Sequence, residues 1–188
     1  RFISFTTFMH YFNTLHGSKS FTHFFLRDVN TCIKPHQFHI ETGMGHVDMP
    51  FDIPNVSCQN GKALAHTRIG WFRAVSNIPR AWAVGSFVGE LASELGKDQK
   101  AMWLELIGSA RTIDPKAEGY PKNWWNYGEP HDEFAIETGR LTNVLNLAAD
   151  GIKYGRKLPK GEGIGLAVHR SFVSYVAAAA HGRIIDGK

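Results

Sequence analysis

Cysteine is scarce in this 188-residue chain, which carries only Cys32 and Cys58. They form no CxxC motif and are too few for a disulfide framework. The two can be joined across the loop between them or stand as unrelated thiols; the second is the simpler reading, and the redox compartment stays open. Long apolar runs are absent too, none approaching the roughly 18 residues of a membrane span. The formal net charge is +4, yet there is no lysine/arginine run and no basic helix face. That argues against nucleic acid as a partner and leaves a solvated basic surface. What is present is an ordinary globular balance, 43% hydrophobic and 20% charged, with many aromatics at 12%. The length suffices for one domain or two small ones with a real core.

The first 26 residues are crowded with phenylalanine, and Phe2, Phe5 and Phe8 fit neither period cleanly; we read a strand over 2–8. Exposed phenylalanines there would favour association with a second copy of the chain. His36, His39 and His46 invite a metal reading, because neutral imidazole suits zinc, copper or iron. Their spacing argues against it: it is not a helical i,i+4 pair, and on a strand His36 and His39 face opposite sides. We therefore assign no metal ligand. Residues 41–62 form a connection rich in Gly, Pro and Asp, with strands expected at 56–59 and 63–68.

The strongest local signal lies between Gly70 and Asp98. Val84, Phe87, Val88, Leu91, Ala92 and Leu95 recur at helical spacing and predict one buried face. Gly96 sits where a left-handed C-cap is expected. Asp98 is placed to cap a second helix over 99–108, with Met102, Leu106 and Ile107 inward. Residues 109–135 read as a long loop holding Trp124 and Trp125, packing anchors or an interface. Thr138 is expected to cap a third helix whose buried stripe is Leu141, Val144, Leu145, Ala148 and Ile152, frayed by Gly151 and Gly155. Gly161-Glu162-Gly163-Ile164-Gly165 looks like a phosphate loop but leads into a strand, so it fails the context of a dinucleotide site. Ile164 to Ala180 predicts a buried strand or a hairpin with a bulge, interrupted by His169 and Arg170, with an indeterminate alanine tract at 177–180. The expected class is α+β, helices packed on a mixed or antiparallel sheet. No nucleophile–base pair, carboxylate dyad or complete metal constellation emerges, so no catalytic residue is assigned.

Five stretches carry a resemblance. They are Pro50-Phe51-Asp52-Ile53-Pro54-Asn55, Gly70-Trp71-Phe72-Arg73-Ala74-Val75, the helix ending Glu90-Leu91-Ala92 and Gly96-Lys97-Asp98, Thr138-Gly139-Arg140-Leu141, and Gly163 through His169 to Ala177. Together they resemble the molybdopterin-binding subunit of the xanthine dehydrogenase and aldehyde oxidase family, closest to the isoquinoline 1-oxidoreductase beta-subunit or membrane-bound aldehyde dehydrogenase type. The similarity spans 50–177 in order and divides the chain into a poorly matched 1–49 and part of a molybdopterin-binding domain over 50–188.

The resemblance implies hydroxylation of aldehydes or nitrogen heterocycles with water as the oxygen source. It also implies a molybdenum-pterin cofactor in the full-length enzyme and electron transfer to an iron–sulfur subunit or domain. By motif match, Phe72, Arg73 and Ala74 would border the cofactor with their backbone amides. Val75 would lie next to substrate, where the family's purine enzymes have a stacking phenylalanine, which speaks against a purine. Asn77-Ile78-Pro79-Arg80 departs from the family's pattern ahead of the helix. The family's catalytic glutamate motif would lie past Lys188 and its upstream cofactor loops before Arg1; Glu162 does not match that motif. The expectation is a fragment, inert alone and partnered by the remainder of the large subunit. A binding or assembly module with an aromatic loop interface is the alternative.

Overall fold

The computed structural model describes residues 45, 48–54, 72–120 and 124–185. The strand at 2–8, the strands at 56–59 and 63–68, the three histidines, Trp71 and both cysteines lie outside them. Among the described residues, three helices, α1 (Asn77–Glu94), α2 (Gln99–Ile107) and α3 (Thr138–Gly151), precede a hairpin of β1 (Glu162–Ser171) and β2 (Ser174–Arg183). This is an α+β arrangement with an antiparallel two-stranded sheet.

Helix α1 buries Val84, Val88 and Ala92 from the expected face, with Phe87 and Leu91 half-buried. Leu95 is 50% exposed because the helix has already ended and Leu95 is its C-cap. Gly96 adopts φ +62°. Gly96 N–H bonds Ser93 O at 3.1 Å and Lys97 N–H bonds Ala92 O at 2.8 Å, the paired closure of a Schellman motif. Asp98 caps α2 through its carboxylate, which accepts from Ala101 N–H at 3.0 Å. Met102 and Ile107 are buried as expected and Leu106 is half-buried. The largest side chain buried there is Trp103, at 1% exposure. Burying such a side chain contributes about 1.5–3 kcal/mol.

Thr138 does not cap α3; Glu137 stands at the N-cap. As the first helical residue, Thr138 spends its hydroxyl across the chain, donating to Ser109 O and accepting from Arg111 N–H, each at 2.8 Å. Together with Ile113 N–H to Ile136 O (2.8 Å) and Thr138 N–H to Arg111 O (2.9 Å), this pinches the base of the long loop shut. The end of α3 is closed rather than frayed. Tyr154 N–H bonds Ala149 O and Lys153 N–H bonds Asp150 O, with Lys153 at φ +55° in the place usually held by glycine.

The hairpin runs in unbroken register from Glu162↔Arg183 to Ser171↔Ser174, without the expected bulge. His169 and Arg170 belong to the strand, and the alanine tract is β2. Leu166, Val168 and Arg170 share one face with Tyr175, Ala177 and Ala179, and α3 covers that face. Along the outer edge of β1, Leu166 N–H donates to Gln99 Oε1 at 2.9 Å and Leu166 O accepts from Trp103 Nε1 at 3.2 Å. Side chains of α2 thus occupy main-chain groups that another strand would use. Phe51 meets Trp103 edge-to-face at 5.9 Å, docking residues 48–54 onto the same core.

Candidate functional site

Two features draw attention, and Asn77 joins them. The first is the turn ahead of α1. Phe72 is 81% exposed, Arg73 is exposed and Ala74 is half-buried. Ala74 and Val75 stand at φ +72° and +49°, a left-handed pair unfavourable for side chains with a Cβ, above all the β-branched valine. Val75 N–H bonds Phe72 O at 3.0 Å and Asn77 N–H bonds Ala74 O at 2.9 Å. The four residues singled out in the sequence are therefore together on one surface turn, all of them ahead of the helix, whose N-cap Ser76 makes no side-chain capping bond.

The second is a buried polar cluster that sequence reasoning missed. Asn77 is 2% exposed; its Oδ1 receives His169 Nε2 at 2.8 Å and Tyr127 O–H at 3.1 Å. An amide oxygen only accepts, so His169 carries its proton on Nε2. Burial, aided by the Arg80 charge, lowers the His169 pKa to about 4, so the ring is neutral at physiological pH. Arg170, 3% exposed, donates through Nη2 to Asn126 Oδ1 at 2.7 Å and Phe134 O at 3.1 Å. Asp48, also 3% exposed, accepts Gly45 N–H at 2.5 Å. Burial raises its pKa against the opposing pull of that bond and of Arg170. Burial and the Asp48 charge also raise the Tyr127 phenol. Gly45 sits at φ +94° against the His169 imidazole, where an added Cβ would collide with the ring.

The hydrogen bonds of Asn77 to Tyr127 and His169, and of Arg170 to Asn126 and Phe134, join residues 36 to 92 positions apart in sequence, so no local pattern marks them. The only available signals are a Tyr-His-Arg set of polar residues where an apolar strand and loop were expected. Of the aromatic pair, Trp124 packs edge-on between Tyr120 and His131, whereas Trp125 is 41% exposed. Among the described residues no group of His, Cys, Asp and Glu could hold a metal ion, and no helix is long and apolar enough to cross a membrane. No protein-family model, curated protein or solved structure matches the chain.

Proposed function

We propose that this chain is part of the large subunit of a molybdenum-dependent hydroxylase or aldehyde dehydrogenase, acting on aldehydes or nitrogen heterocycles and inactive alone. The observation that carries the reading is the Phe72–Val75 turn. It is strained, largely exposed and anchored by the buried Asn77, and it lies within a resemblance that runs in order over 50–177. A polypeptide holds such a conformation at a cost of about 1–3 kcal/mol per residue, and ligand-contacting loops are where that cost is commonly found. When bound, the molybdenum-pterin group supplies the electron sink and the activated oxygen. The backbone of Phe72, Arg73 and Ala74 would form one wall beside it, with Val75 toward substrate. Glu162 is committed to His181 at 2.8 Å and is given no role as base; that role falls to the remainder of the subunit, and electron transfer to an iron–sulfur partner.

Co-expression with the polypeptide encoded on either side of it tests this. The assembled protein should contain stoichiometric molybdenum and oxidise aldehydes, and Arg73→Ala or Ala74→Leu should lower turnover or cofactor retention without lowering the melting temperature. Full activity in both variants would show that the turn is not a wall of the site. A natural start and stop at the ends of the chain would remove the enzyme reading and favour the alternative, a binding module presenting the exposed Trp125.

A further inference from the structure

Tyr127 lies on the long loop, 50 positions from Asn77, yet its O–H donates to Asn77 Oδ1 at 3.1 Å. Its backbone is left-handed at φ +58°, a conformation that glycine or asparagine holds at lower cost. A tyrosine kept there is kept for its side chain, and that side chain does two things. The ring, 8% exposed, packs against Trp125 and Phe172, with centroids 5.8 and 4.7 Å away. Those contacts fix where the hydroxyl stands. The hydroxyl then shares with His169 Nε2–H the oxygen that orients the Asn77 side chain. Asn77 is also the residue whose main chain closes the strained turn. Its N–H bonds Ala74 O at 2.9 Å, beside the Val75 N–H bond to Phe72 O at 3.0 Å. A hydrogen bond from the long loop and a main-chain bond in the turn thus converge on one buried residue.

We propose that Tyr127 is a positioning residue: acting through Asn77, its hydroxyl holds the left-handed Ala74–Val75 pair in place. The coupling stands on the geometry alone; its catalytic consequence rests on the molybdenum-hydroxylase reading above. In that enzyme a loosened turn would misplace Val75 and the amides of Phe72, Arg73 and Ala74, so turnover should fall while the cofactor stays bound.

Amide hydrogen exchange in the 188-residue chain tests the coupling through Tyr127→Phe, which deletes the hydroxyl and keeps the ring. Exchange at the Val75 and Asn77 N–H groups should quicken by about 5- to 10-fold, the scale of one buried hydrogen bond. Lys97 N–H, bonded to Ala92 O at the far end of α1, should keep its rate. Unchanged exchange at both turn amides overturns the proposal. So does an equal rise at Lys97, which would show general destabilisation instead. The co-expressed assembly supplies the catalytic readout. At equal molybdenum content, Tyr127→Phe should lower kcat for an aldehyde by about 5- to 10-fold and leave KM unchanged. An active assembly in which Tyr127→Phe keeps the full kcat overturns the positioning role. An assembly without molybdenum removes the enzyme reading instead, and the exchange rates then decide the coupling by themselves.

Discussion

Two turns in this molecule break the same backbone rule and differ in what holds them. Ala74–Val75 and Phe172–Val173 are both consecutive left-handed pairs without glycine, the second at φ +46° and +55°. Both border the same polar cluster: Asn77 follows the first, and His169 and Arg170 precede the second. The hairpin turn follows from its two-residue length, because such loops favour primed turns and the type I′ form needs positive φ at both positions. A ten-residue ladder sustains it, and the Phe172 ring packs at a tilt against Tyr127, centroids 4.7 Å apart. The Ala74–Val75 turn has no ladder and exposes its neighbour Phe72. Its anchor is one side chain. Strain that topology requires says little about function, whereas strain held by a dedicated buried residue is the kind that selection for a ligand maintains.

Removing that anchor should have the largest effect. Asn77→Ala strips the acceptor from His169 Nε2–H and Tyr127 O–H, and should cost about 2–4 kcal/mol in urea unfolding; a loss no greater than at a surface position would dissolve the distinction between the turns. Acid should act next. With a folded pKa near 4 against about 6.5 unfolded, His169 is protonated more readily in the unfolded chain. Its contribution is therefore full above pH 6.5 and is lost as pH falls toward 4, by about 2 kcal/mol after allowing for the partly exposed ring. Asp48, with a raised folded pKa, works in the opposite direction, so Asp48→Asn should steepen the acid loss and His169→Gln should flatten it. The double change Phe172→Asn, Val173→Gly should stabilise by about 1–2 kcal/mol by supplying a compatible turn. Ala74→Gly should give the smallest gain, about 0.5–1 kcal/mol by thermal melting, as relief of strain is offset by added freedom in the unfolded chain. A larger gain from Ala74→Gly than from the hairpin pair would invert the comparison.

What could be read in the sequence follows the range of the forces involved. The burial of Val84, Val88 and Ala92, the Gly96 closure and the Asp98 cap depend on residues within four or five positions of one another, and they fold as expected, whereas Leu95 falls past the helix end and is exposed. Lys153 closes α3 in a left-handed conformation that carries no glycine to announce it. The helical spacing of α2 marks Leu106 rather than Trp103, whose indole partner, Leu166 O, is 63 residues away. The same distance problem hid the polar cluster: Asn77 reads only as a departure before a helix, and Arg170 only as an interruption in a strand. The strand continues through His169 and Arg170 without a bulge for that reason, since Arg170 can face inward once Asn126 and Phe134 O receive it.

The contact between α2 and the outside of β1 gives the sheet a direction. With Leu166 N–H and O already engaged by Gln99 and Trp103, an incoming strand would have to expel an indole from the core to pair there. The opposite margin has no such guard among the described residues. By the alternation of an antiparallel ladder, the main-chain groups of Tyr175, Ala177 and Ala179 point away from β1. Among the described residues, enlargement of this sheet is opposed at Leu166 of β1 and open along β2, and the side chains of one short helix set that difference.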